Sequence, residues 1–300
     1  LMTFSMVFGI YGALIAYLIG EGQVLKTIFG GSEIIYTLIF FVIVSFIIYK
    51  GVNATGKVEL VIIGLLFLVV ILIGVLSVTH IKAENFTSFA PQFFFLPYGV
   101  ILFAFVGSAA IPEIQEELGK EKRKMKKSII LGSLIPVVLY IGFSVIVVGL
   151  VGLTNFESLL PNQRIATVAL SVYHSATLGL FANIFAIFSM FTTFLTLGIA
   201  LNEMYQYDYG FGKLKSFALT LIIPLIIALS GFTNFISVLG LTGAIAGGLD
   251  GILVVLAFWK AKTMGDRKPE YNFKSPKVIG YLLILMFGVG VLYQLWQNFF

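Results

Sequence analysis

The sequence predicts an all-α polytopic membrane protein, and three observations carry that prediction. Of the 300 residues, 59% are hydrophobic and only 11% charged, with a mean hydropathy of +1.04. Soluble domains run closer to half apolar and a quarter charged. The apolar residues, 30 Phe among them, form long runs nearly free of charge, unlike the short alternating segments of a membrane barrel. The cations gather in alternate gaps between those runs, which is how charge orients helices in a bilayer. With no cysteine there is neither a disulfide framework nor a thiolate metal site. The net charge of +5 reads as a topology signal, not a nucleic-acid footprint.

A helix needs about 20 apolar residues to cross the hydrocarbon. Nine spans are predicted: 2–20, 32–49, 58–80, 94–116, 128–153, 175–203, 214–231, 235–259 and 277–298. The short tract with Gly231 and Asn234 makes a tight turn between the seventh and eighth. The two largest polar stretches are a basic loop, 113–127, and the loop 260–277; neither resembles a long linker, so residues 1–300 read as one membrane-embedded domain. The chain opens Leu-Met-Thr inside a hydrophobic segment with no signal-peptide pattern, which predicts a fragment.

Alternate loops fix the orientation. One set holds sixteen cations: Lys50 and Lys57, the run from Lys120 to Lys127, Lys213 and Lys215, and those from Lys260 to Lys277. The other set holds three, Lys26, Lys82 and Arg164, and together they account for all 19 Lys and Arg. Residue 1 is therefore expected at the cytoplasmic side and the C-terminus outside. Trp259 and Trp296 fall at span ends, as interfacial residues do.

Chemistry concentrates in three places. The fourth span contains "FAFVGSAAIPEIQEEL", residues 103–118, where Gly107 and Pro112 weaken one helical turn beside the Ser108 hydroxyl. In a helix interior the glycine costs about 1 kcal/mol and the proline about 3 kcal/mol relative to alanine. Backbone freed at membrane depth must be satisfied by protein or a water-lined cavity, and broken helices of this kind form transporter binding sites. A simple proline kink is the competing reading. Glu113, Glu116 and Glu117 abut the basic loop and fit a solvated helix extension, with Glu116 four residues before Lys120 and Gly119 as a cap.

The sixth span carries Ser189, Thr192, Thr193 and Thr196 on one helix face. Such a stripe suits oxygen ligation of Na⁺ or hydrogen bonding to a polar substrate, although hydroxyls also glue helices together in lipid. In the eighth span Gly243, Gly247 and Gly251 form a tandem GxxxG pattern that predicts close helix approach. Asp250 beside them reads as the one carboxylate well inside a span, toward the cytoplasmic third, and is a functional candidate by its cost there. His80 and His174 sit at span ends without a second ligand, and Asn85-Phe86-Thr87 is a glycosylation triplet of a sort that arises by chance. There is no phosphate loop, catalytic triad or metal cluster, so no enzyme, no metal and no cofactor is expected.

"FAFVGSAAIPEIQEEL" and "KKSIILGSLIPVVLYIGFSVIVVG" together resemble the sixth and seventh helices of the amino acid/auxin permease family, of the amino acid–polyamine–organocation superfamily and the LeuT fold. "AYLIGEGQVL" is similar to the end of its third helix and "FSMFTTFLTLGIALNE" to its eighth. The resemblance implies that the nine spans are helices three to eleven, with the first two missing and a complete second inverted repeat at about 93–260. It implies a secondary-active amino acid permease of the plasma membrane, coupled to H⁺ or Na⁺ and working by alternating access. By the same resemblance Phe103, Phe105, Gly107, Ser108, Ala109 and Ile111 bind substrate, while Thr192 and Thr193 ligate a coupling ion. The expected partners are an amino acid and the lipid bilayer, with no nucleic acid. A carrier for a nucleobase or amine on the same architecture, or a non-transporting membrane scaffold or receptor, are the alternatives.

Overall fold

The computed structural model describes residues 1–51, 56–87, 91–108, 110–173, 175–264 and 277–299. Among them the regular elements are all helical, and no strand occurs. The α-helices are α1 (Met2–Phe29), α2 (Glu33–Lys50), α3 (Gly56–Ser77), α4 (Tyr98–Phe105), α5 (Ala110–Leu118), α6 (Met125–Val151) and α7 (Leu153–Ser158). They continue with α8 (Ala166–Tyr173), α9 (Ala176–Tyr207), α10 (Lys213–Leu229), α11 (Phe235–Thr242), α12 (Gly248–Met264) and α13 (Lys277–Phe299). One π turn, Gly243–Gly247, joins α11 to α12.

Among the described residues six helical stretches are long and apolar enough to cross a membrane: Met2–Phe29, Glu33–Lys50, Lys122–Val151, Ala176–Tyr207, Phe235–Ala261 and Lys277–Gln297. They fall on the first, second, fifth, sixth, eighth and ninth expected spans. Of the other three, 58–80 falls on α3, 94–116 on the interrupted pair α4 and α5, and 214–231 on the 17-residue α10 with Pro224 inside it. The first helix is longer than its hydropathy suggests, running on to Phe29 instead of stopping near residue 20.

Local chemistry sets the ends. Gly51, at φ 69°, closes α2 by donating its N–H to the carbonyls of Ile47 (3.2 Å) and Ile48 (3.1 Å). Asn234 caps α11, its Oδ1 accepting from the Ser237 N–H at 3.0 Å. Helix α5 stops at Leu118 and Gly119 turns away at φ 48°, so Lys120 lies beyond the helix and the one-turn spacing from Glu116 is lost. In that loop Lys124 pairs with Glu121 at 2.6 Å instead. Asn85 donates to the Gly149 carbonyl (2.8 Å), which ties an inter-helix loop to α6. His174 lies outside the described residues.

The chain forms two compact units, one of Leu1–Gly9, Pro91–Tyr140 and Leu239–Phe300, the other of Ile10–Ala90 and Ile141–Val238. In the second unit α9 is the central helix, packing on α2, α3, α8 and α10. Its Phe194 is wholly buried, edge-on to Phe40 with ring centroids 5.3 Å apart. In the first unit α4 packs on the π turn and α12 on α13, where Gly251 accepts the Phe287 ring and Gly248 faces Val291. Large apolar side chains such as Val42, Phe46, Leu282 and Leu285 are exposed, as a surface that faces lipid requires.

Candidate functional site

The fourth expected span breaks where the sequence is weakest. Helix α4 ends at Phe105 and α5 starts at Ala110, with Val106 and Gly107 outside either helix. The turn is partly rebuilt by Ala110 N–H to the Gly107 carbonyl and Ile111 N–H to the Ser108 carbonyl, both 3.2 Å. Pro112 is not the breaker that its type suggests. It sits in the first turn of α5, where its missing N–H has no helical partner to lose, and Ser108 lies outside the helix it was expected to clash with. The break therefore belongs to Val106–Ser108, and Pro112 starts the helix that follows.

A seam of glycines brings the π turn against this segment. An added Cβ at Gly243 would collide with the Gly99 carbonyl and with Phe103, and one at Gly247 would meet Leu102 and Val106. The contacts advance along both segments together, and at the next step the Ser108 hydroxyl donates to Asp250 Oδ2 at 2.5 Å. The two features singled out separately in the sequence are thus in direct contact. Ser108 and Asp250 are each half-buried, so the carboxylate is anchored at the break without being sealed from it.

The other expected site residues divide by surroundings. Phe103 is half-buried, with its backbone N and Cβ against Gly243, so it is a packing contact of the seam. Phe105 is exposed and lies edge-on to Tyr140 of α6, centroids 5.2 Å apart. Gly107 is exposed and open: an added Cβ would have only the Phe105 carbonyl oxygen near it, at 4.0 Å. Ile111 is half-buried in α5, and Ala109 lies outside the described residues. Sequence inspection passed over Tyr140, whose hydroxyl donates to the Ala104 carbonyl at 3.4 Å, beside the interrupted turn.

The hydroxyl stripe of α9 lies in the other unit. Thr192 donates to the carbonyls of Phe188 and Ser189, both 3.1 Å, and Thr193 to that of Ser189 at 2.8 Å. Their protons are thus committed to their own helix, while the oxygen lone pairs remain able to accept or ligate. Among the described residues no group of His, Asp and Glu is placed to hold a metal ion.

Asp250 is not the only carboxylate inside a helix. Because α1 continues to Phe29, Glu21 is embedded in it, 0% exposed, and neither carboxylate oxygen has a hydrogen-bond partner. The hydropathy drop across Glu21-Gly22-Gln23 made that turn look like a span end. The stripe of Tyr17, Glu21, Val24 and Ile28 at helical spacing was the signal that could have found it.

The sequence profile of the tryptophan/tyrosine permease family matches residues 1–297. The chain belongs to this family. The permease is 24% identical over 309 residues to the tyrosine-specific transport system 1 of Haemophilus influenzae, which covers 96% of this chain and 75% of that protein. It is 24% identical over 311 residues to the tryptophan-specific transport protein of Shigella flexneri, covering 95% and 73%. Glutamine transporter 2 of Aliivibrio fischeri is 24% identical over 245 residues, covering 77% and 62%. Family membership makes this a membrane permease of the amino acid class, in agreement with the six bilayer-length helices among its described residues.

Proposed function

We propose that the protein is a secondary-active amino acid permease of the plasma membrane, driven by H⁺ or Na⁺. Its preferred substrates are amino acids with large aromatic side chains, as the family description and two relatives suggest. The nine-span map with residue 1 cytoplasmic and the C-terminus outside, and the likeness to helices three to eleven of a LeuT-fold transporter, belong to the same reading. The observation that carries it is the break between α4 and α5 with Asp250 fastened to Ser108. There the open backbone at Gly107 can approach a substrate's polar groups with no Cβ between them. Phe105 and Tyr140 supply the adjoining aromatic surface for a side chain. Thr192 and Thr193 ligate Na⁺ in a sodium-driven carrier and act only as internal helix bonds in a proton-driven one. Alternating access would come from rocking of one helix group against another.

Uptake of labelled tryptophan and tyrosine by cells expressing the protein tests this. Accumulation should exceed that of control cells and collapse when ion gradients are dissipated. Protein present in the membrane with neither amino acid accumulated would sink the proposal.

A further inference from the structure

Glu21 is a carboxyl group that the binding site just described does not use. It is 0% exposed, and both of its oxygens lack a hydrogen-bond partner. Its helix face is defined by Tyr17, Val24 and Ile28, which lie one turn before, one turn after and two turns after it. Those three residues pack into a cluster with Ile165 and Val168, at the start of α8, and with Met190 of α9. Gly20, next to Glu21, meets Met190 and the Phe235 ring. The carboxyl group therefore lies on the face that α1 turns toward α8, α9 and the start of α11.

Among the described residues no cation answers it there. Helix α8 has no charged residue, and its one titratable group, Tyr173, bonds Ser158 at 2.5 Å. Arg164, just before α8, gives its guanidinium to the carbonyls of Leu159 and Glu157. The first acid along α9 from Met190 is Glu203, thirteen residues on and about 20 Å away at 1.5 Å per residue, and it is exposed. In α11 there is no titratable residue; in α2 Glu33 lies with its Cγ against Gly22, the residue after Glu21, Tyr36 follows one turn on, and Tyr49 and Lys50 stand in the last turn. Lys26 of α1 itself lines a cavity with Ile19 and Gln23, on the opposite side of the helix from Glu21.

An ionised carboxylate buried without a partner is strongly disfavoured. Each unsatisfied buried polar group is destabilising, so a packing role alone would be better served by leucine or methionine. A destabilising acid at the centre of a helix face points to use. We propose that Glu21 is the group through which the permease binds and releases its coupling proton. This rests on the reading of the protein as an ion-coupled amino acid carrier, and selects H⁺ as the ion.

The step is a simple protonation: the carboxylate accepts one proton from water on one side and returns it on the other. The cavity of ≈ 450 Å³ on the far side of the same turn, reaching Gln23, Thr37 and Asn234, brings open space within one helix thickness. Glu21 is sealed from it by α1 itself, so exchange with water requires α1 to move against α8 and α9. Protonation favours the packed state and ionisation the opened one, which ties proton traffic to the conformational cycle.

Purified protein in liposomes, with an imposed pH gradient and an internal pH indicator, provides the test. Wild type should show amino-acid-dependent proton entry and concentrative uptake. Glu21→Gln, which keeps the shape but cannot ionise, should lose both, yet still exchange labelled for unlabelled amino acid, because exchange moves no net proton. Glu21→Asp should recover part of the proton-coupled uptake, which separates loss of the acid from misfolding. Infrared spectra should show a protonated-carboxyl band in wild type that is missing in Glu21→Gln. Proton-coupled uptake surviving in Glu21→Gln, or loss of exchange along with uptake in a well-folded variant, overturns the proposal. Wild-type vesicles that neither accumulate nor exchange amino acid overturn the permease reading itself. The infrared band then still decides on Glu21, since its absence from wild type overturns the proton assignment.

Discussion

At the scale of single residues, the Ser108–Asp250 bond is the contact that makes a weak helical turn the proposed site. A hydrogen bond to a charged group contributes about 1.5–3 kcal/mol, and a buried partner left without one costs more than the bond itself was worth. Asp250→Asn keeps an acceptor for the Ser108 hydroxyl and removes only the charge, whereas Asp250→Ala leaves the hydroxyl stranded. Asp250→Ala should therefore weaken transport more, with KM for the amino acid raised by about tenfold if roughly 1.4 kcal/mol of site order is lost. Uptake kinetics normalised to the amount of protein in the membrane check the order. Equal kinetics for the wild type and both variants would show the bond to be incidental. Both residues were legible as candidates from local signals, a hydroxyl beside a helix break and an acid in an apolar run. Their partnership was not, because 142 positions separate them and only the glycine seam closes the distance.

At the scale of elements, the seam and the break make opposite demands on glycine. Gly243 has no room for a Cβ, since the Gly99 carbonyl and Phe103 already occupy that space, while Gly107 has open space around it. Forcing one extra carbon into a packed contact typically costs about 1–3 kcal/mol. Gly243→Ala should lower the thermal midpoint and the membrane abundance, and Gly107→Ala should leave both near wild type while weakening substrate binding. Thermal unfolding in detergent alongside uptake separates the two effects. An unstable Gly107→Ala, or a wild-type-like Gly243→Ala, would mean that the break and the seam have been assigned the wrong roles. The GxxxG spacing announced this close approach, but its partner could not be read from sequence. The length of α1 was misjudged for a related reason: hydropathy averages over a helix, so a buried polar turn at Glu21-Gly22-Gln23 resembles an end.

At the scale of the whole molecule, the question is whether the interrupted fourth segment crosses the bilayer. Hydropathy and alternating charge made the helical class legible throughout, because burial in lipid leaves a compositional mark on every span. A crossing built from two short helices leaves a weaker one. Helices α4 and α5 have 8 and 9 residues, about 12 and 13 Å at 1.5 Å each. The four residues 106–109 add up to about 13 Å if extended, and the total exceeds a hydrocarbon core of about 30 Å. Length therefore permits a crossing, and the positive-inside pattern demands one, since Lys82 belongs to the sparse set of loops and Arg123 to the rich one. A chain with no cysteine makes the test direct. Lys82 and Arg123 are both exposed, and each can be replaced singly by cysteine. In intact cells a membrane-impermeant maleimide should label Lys82→Cys, and it should reach Arg123→Cys only after permeabilisation. Labelling of both from the same side would mean that the broken segment re-enters instead of crossing, and the orientation of every later helix would then have to be reversed.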